Sequence, residues 1–227
     1  MRPLPPSPDL YGGTPIPVSR LPRYLLPADL GFTHGSAWYS RAIRWATRHR
    51  TEPPTYANHT FGIGRGLNIV EALSSVRQTA LCEWELPGEF EIFRHTSSPH
   101  HLRVAVAARA EHYTGYRYGA LKILPHLLDG VLGKVAARDV YAFRHLCFIP
   151  RYPICSWLWA WAYDAYGVRT SACDKRYASP DDQHDFLVGS PEWVLVVKRF
   201  RSGDLVTWDE FTGYPVMTRS RITTATG

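Results

Sequence analysis

Cys155 opens the run Ile154-Cys155-Ser156-Trp157-Leu158-Trp159-Ala160-Trp161-Ala162-Tyr163, which follows Pro153 and is apolar on nearly every side. Such a run predicts a buried helix with the cysteine in or beside its first turn. Backbone N–H groups without helical acceptors, together with the helix dipole, favour an anion at that end. A thiol there has a lowered pKa, and the thiolate is the reactive form. The same N–H groups can hold an oxyanion on an acyl substrate. The alternative is an inert buried cysteine, the ordinary state of a lone thiol in an apolar helix, and what separates the two readings is a partner base.

Two short strand-like runs, 58–63 and 68–73, flank Gly64-Arg65-Gly66, a hairpin signal. With Ile63 facing Leu67 across a three-residue loop, His59 stands directly opposite Glu71. Directly opposed residues share a face at about 5 Å between Cβ atoms. Glu71 can then orient the His59 imidazole and stabilise its cation while the other ring nitrogen takes the thiol proton. That is the arrangement of nucleophile, base and orienter. Glu71 lies in an apolar strand, where a carboxylate is costly unless paired; an edge strand with Glu71 turned to solvent is the alternative.

Further candidates are weaker. Tyr116 and Tyr118 can donate phenolic hydrogen bonds near a substrate, or simply pack. Asp29 can cap a neighbouring element or bind a substrate ammonium group. His126 and Asp129 share a helix face across a proline-broken turn. Gly62-Ile63-Gly64-Arg65-Gly66 has neither the lysine nor the following helix of a phosphate loop. Asp181, Asp182 and Asp185 lack calcium-loop spacing, and stabilisation of a first helical turn accounts for them.

The elements that must carry these residues can be read around them. Residues 1–27 are rich in proline and glycine and read as an arm; 28–201 read as one domain and 202–227 as a C-terminal extension. Ser36 predicts a helix over 36–48, with Trp38, Ala42, Trp45 and Ala46 on one face and arginines elsewhere. Residues 89–94 read as a strand, and Ser98-Pro99 as the cap and first turn of a helix reaching about His112. A helical segment over 116–128, a strand over 139–149, a helix opening at Ser179-Pro180 and a strand over 192–200 complete the pattern. The fold class is therefore α+β, in one compact domain.

The 227 residues carry 26 Lys and Arg against 20 Asp and Glu, a net charge of +6. That balance attracts anionic partners (cell-wall polymer, lipid headgroup, nucleic acid) without choosing among them. No helix-turn-helix, finger or stacking motif points to specific nucleic-acid recognition. The four cysteines have no metal-ligand or redox spacing, and no cofactor is expected. With no apolar leader at the N-terminus and no run long enough to span a bilayer, a cytoplasmic protein is expected by default, with export by another route or release by lysis left open.

Asp29-Leu30-Gly31-Phe32, Ala42-Ile43-Arg44-Trp45-Ala46-Thr47, Asn58-His59-Thr60-Phe61-Gly62-Ile63, Ile69-Val70-Glu71-Ala72 and Pro153-Ile154-Cys155-Ser156, in that order, resemble the YiiX/YebB-like branch of the circularly permuted NlpC-type papain-fold hydrolases. The histidine preceding the cysteine helix is the permuted order. The resemblance implies a small antiparallel sheet packed against helices, with Cys155 as nucleophile, His59 as base and Glu71 as the third polar residue. It further implies cleavage of amide bonds through an acyl-enzyme, with peptidoglycan peptides as one substrate class. Acyl transfer of the lecithin:retinol type and an inactive binding protein, of viral or other origin, are the alternatives. One departure is visible: the family's Gly-Asp reads Ala28-Asp29, and Gly31 replaces an aliphatic residue.

Overall fold

The computed structural model describes residues 13–35, 56–117, 154–175 and 178–208, with scattered positions between 128 and 143. The expected helix over 36–48, Tyr118 and His126 lie outside the described residues. So does the expected strand over 139–149, except for Phe143, which is helical.

Alternating apolar residues build one antiparallel sheet, larger than the small sheet expected. Its strands are β1 (Thr14–Pro15), β2 (Leu30–Thr33), β3 (His59–Ile63), β4 (Asn68–Ala72), β5 (Val76–Ala80), β6 (Phe90–His95), β7 (Trp193–Arg199) and β8 (Leu205–Thr207). They lie in the order β1-β8-β7-β6-β2-β3-β4-β5. The strand holding His59 is thus central, flanked by β2 and β4. Helices α1 (His100–Glu111), α2 (Cys155–Asp164) and α3 (Pro180–Gly189) accompany the sheet.

The period-two pattern sends side chains to two cores. Leu30, Phe32, Val70, Ala72 and Phe93 join Val106, Ala110, Leu158, Trp159 and Leu187 of the helices. Phe61, Ile63, Ile69, Phe90 and Ile92 meet Leu21, Leu25 and Trp84 on the other side. Leu21 belongs to a 3-10 turn, Val18–Tyr24, and β1 pairs with β8 through Thr14↔Thr207. The packed unit therefore runs beyond 28–201 at both ends.

Local chemistry explains most boundaries. α3 starts at a reciprocal cap in which Ser179 accepts from the Asp182 N–H and the Asp182 carboxylate accepts from the Ser179 N–H. α1 differs from expectation: its N-cap is Pro99, with no side-chain cap. Ser98 Oγ instead lies 2.8 Å from His95 Nδ1.

The two departures in the family motif have physical counterparts. Ala28 has φ of +65°, the left-handed region that favours glycine. Its N–H donates to Ile63 O at 2.7 Å, and its carbonyl accepts from the Tyr163 hydroxyl. At Gly31 a Cβ would fall 2.1 Å from the Phe61 ring. Phe61, from the neighbouring strand, thus occupies the space an aliphatic side chain would take.

Candidate functional site

Cys155 is the first residue of α2, after the extended N-cap Ile154. Leu158 is the first residue whose N–H closes on the helix, to Ile154 O at 3.0 Å. Cys155 thus sits where the helix end favours an anion, and the Ser156 amide already addresses its sulfur. Two close packings fix this end of the helix against β3 and β4. Gly62 has no side chain, so the Trp159 indole lies flat on the strand; a Cβ there would stand 2.4 Å from the ring. Trp159 Nε1 donates to Val70 O at 3.1 Å. From α3, Gln183 Nε2 donates to Ser156 O at 3.0 Å, while its Oε1 accepts from the Thr60 hydroxyl at 3.1 Å. One glutamine thus links the helix bearing Cys155 to the residue after His59.

The hairpin register differs from expectation by two residues. Phe61 faces Glu71 and Ile63 faces Ile69, so His59 is diagonal to Glu71 rather than opposite it. The loop is Arg65-Gly66-Leu67, closed by Gly64 N–H to Asn68 O at 2.7 Å, with Leu67 in the left-handed region at φ +57°. The cause lies outside the hairpin. Glu111, at the end of α1, accepts from Arg65 N at 2.7 Å and from Arg65 Nε at 2.6 Å. A side chain at Gly64 would stand 2.5 Å from that carboxylate. Because a two-residue shift keeps each side chain on its face, the pair still meets: His59 Nε2 lies 2.9 Å from Glu71 Oε2.

Glu71 has a second partner that the sequence reading missed. Arg77, directly opposite on β5, donates to Glu71 Oε1 from Nε at 3.1 Å and from Nη2 at 2.7 Å. Burial raises the Glu71 carboxyl, but His59 and Arg77 outweigh it and hold the pKa below the ordinary value. Burial likewise lowers the His59 imidazole, yet Cys155 and Glu71 push it up to about 9. The Cys155 thiol, raised by burial, is brought below its ordinary value by His59 and by the backbone amides of Thr60 and Ser156. The His59 ring hydrogen-bonds Cys155 as well as Glu71; with Nε2 turned to Glu71, Nδ1 is the nitrogen left to face the sulfur. The structure thus joins Cys155, His59 and Glu71 in one chain of hydrogen bonds whose charges favour thiolate, imidazolium and carboxylate.

The substrate-binding candidates stand elsewhere. Asp29 is fully buried. Arg94 grips it with Nε at 2.7 Å and Nη2 at 2.6 Å, and its Oδ2 accepts from Leu26 N at 2.8 Å. Asp29 thus neither caps a neighbouring helix nor faces a substrate: its carboxylate is taken up inside the protein by Arg94 and by the Leu26 N–H three residues earlier. Tyr116 is 40% exposed and its ring lies edge-on to Tyr113, which in turn contacts Trp157 of α2. A separate group, Asp181, His184 and Asp185, gathers on α3.

No family model and no curated protein matches the chain. Among solved structures it matches the metalloprotein YiiX from Escherichia coli O157:H7, of the DUF1105 group, with a TM-score of 0.53 and 16% identity. The match covers 78% of this chain and 99% of the other. The chain has a YiiX-like fold. Likeness at that identity carries the architecture alone: an antiparallel sheet with helices. Among the described residues, no helix of this YiiX-like fold is long and apolar enough to cross a membrane.

Proposed function

We propose that the protein is a thiol hydrolase of the permuted papain-like kind, acting on amide bonds with Cys155 as nucleophile, His59 as general base and acid, and Glu71 as the group that orients the imidazole. The observation that carries this reading is the hydrogen-bonded chain from sulfur to carboxylate, in which the thiol is held low and the imidazole high. A thiolate paired with an imidazolium is ready to attack without first losing a proton.

In the proposed reaction the Cys155 sulfur attacks the substrate carbonyl carbon and the carbonyl electron pair moves to oxygen. Amides in the first turn of α2 stabilise that oxyanion. Collapse breaks the C–N bond as the His59 imidazolium gives its proton to the leaving amine, leaving a thioester. Water then attacks, His59 takes its proton, and the acid departs as the thiolate returns. Glu71 carries no proton in these steps; it keeps Nε2 engaged so that Nδ1 addresses the sulfur. YiiX is named a metalloprotein, but this triad does not fit an ion: one Glu71 oxygen is engaged by His59 and the other by Arg77.

Cys155→Ala and His59→Ala are each expected to cut turnover at least about 100-fold while circular dichroism and the unfolding midpoint stay near wild type. A screen of muropeptides, acyl-peptides and phospholipid esters supplies the substrate. Release of free acid supports hydrolysis, whereas delivery of the acyl group to an added acceptor supports the transferase alternative. Undiminished turnover by either variant refutes the assignment.

A further inference from the structure

Asp181, His184 and Asp185 stand at positions i, i+3 and i+4 of α3, so one helix face presents all three. Their donor atoms lie within 4.8 Å of one another. Asp181 and His184 are buried, at 3% and 7% exposure, while Asp185 opens to solvent. Taken alone this is an acidic cluster with a histidine. What sets it apart is the state of the imidazole.

His184 Nε2 lies 2.8 Å from Glu91 Oε2, and the other Glu91 oxygen accepts from Lys198 Nζ at 2.5 Å. Lys198 faces Glu91 across β6 and β7, and the pairing keeps the Glu91 carboxylate ionised. The ionised carboxylate fixes the Nε2–H there and aims Nδ1 at the aspartates; burial opposes the imidazolium, but Asp185 and Glu91 raise the imidazole to about 9, so at neutral pH Nδ1 carries a proton that a bound ion would displace. Among the described residues Nδ1 is buried and makes no hydrogen bond; Asp185 Oδ1 is 3.5 Å away. The ring cannot easily turn, being stacked on Tyr56 at 4.6 Å and met edge-on by Phe32 and Phe93. Asp181 is fixed as firmly: its Oδ1 accepts from Tyr56 N at 3.0 Å and Ala57 N at 3.3 Å, leaving Oδ2 for another partner. Three potential ligand atoms converge, one of them a buried nitrogen whose ring is held on its far side by a carboxylate, which is how metal-bound histidines are oriented.

We propose that Asp181, His184 and Asp185 bind a divalent first-row transition ion of the zinc type. An imidazole nitrogen with two carboxylates suits Zn²⁺ better than Ca²⁺ or Mg²⁺, which prefer all-oxygen shells. The ion's competitor is a proton, since the same surrounding carboxylates would hold one on the imidazole. The site is separate from Cys155 and does not depend on the hydrolase reading. It would brace the start of α3 against residues 56–57, just before the His59 strand, while Gln183 of the same helix holds Thr60 and Ser156.

The test is calorimetric titration of the full chain with Zn²⁺ alone, paired with a visible spectrum after loading Co²⁺. One ion per chain is expected, with d–d bands and no thiolate charge-transfer band. Asp185→Asn, a substitution at an exposed carboxylate, is expected to weaken binding at least tenfold and to remove the rise in unfolding midpoint that Zn²⁺ gives the wild type. Absence of binding, equal affinity in Asp185→Asn, or a thiolate charge-transfer band would overturn the proposal.

Discussion

At the scale of single residues, the account rests on how Glu71 divides its two oxygens. One meets His59 and the other meets Arg77, so the carboxylate is fixed in place as well as ionised. Replacing it by glutamine keeps the shape and removes the charge. Glu71→Gln is therefore expected to lower kcat about 10- to 100-fold with little change in KM, since it acts through His59 rather than on substrate. The pH profile adds a sign. Activity rises as pH climbs through the depressed thiol pKa and falls as the imidazolium is lost near 9. In Glu71→Gln that upper limb moves to lower pH, because the carboxylate is one of the groups holding His59 up; an upper limb that does not move contradicts the role. The meeting of Cys155, His59 and Glu71 was legible from residue type and neighbours, since an apolar helix start and a carboxylate in an apolar strand are local facts. Arg77 was not legible, because β5 is largely exposed and lacks an apolar alternation to mark it as a strand.

At the scale of elements, the site depends on how closely α2 lies on β3. Gly62→Ala places a methyl group against the Trp159 ring, which is fully buried and cannot give way. Overpacking of this kind costs about 1–3 kcal/mol, and moving α2 off the strand separates Cys155 from His59. Loss of both stability, measured in urea, and kcat is expected; an unchanged kcat would mean the helix position does not matter. The hairpin shows why register was harder to read than strand existence. Alternation located both strands within a residue of their ends, but a contact from α1, Glu111 to Arg65, set the loop, and no local signal in the hairpin reports a partner forty-six positions away. The error was harmless because a shift of two residues conserves the face.

At the scale of the whole molecule, the unit is a wide antiparallel sheet between two apolar layers, locked by buried ion pairs. The Asp29 pair with Arg94 is the deepest of these, almost wholly out of solvent. Arg94→Met leaves the Asp29 carboxylate with its main partner gone, and such a loss typically costs about 3–5 kcal/mol; a denaturation midpoint equal to wild type would show that Arg103, 3.6 Å away, compensates. The α+β class and the central strands were readable from sequence. The β1 side was not: β1 and its neighbour β8 are two and three residues long, too short to establish any period, and they form because β8 pairs with β7 and β1 with β8. The central claim, that His59 activates Cys155, is tested most directly by the rate of Cys155 alkylation with a small electrophile at about pH 6 to 7, in the wild type and in His59→Ala. Preferential labelling of Cys155 over the other thiols, falling at least tenfold in the variant, is the predicted result; labelling of Cys155 no faster than the others, or unchanged without the imidazole, would contradict it.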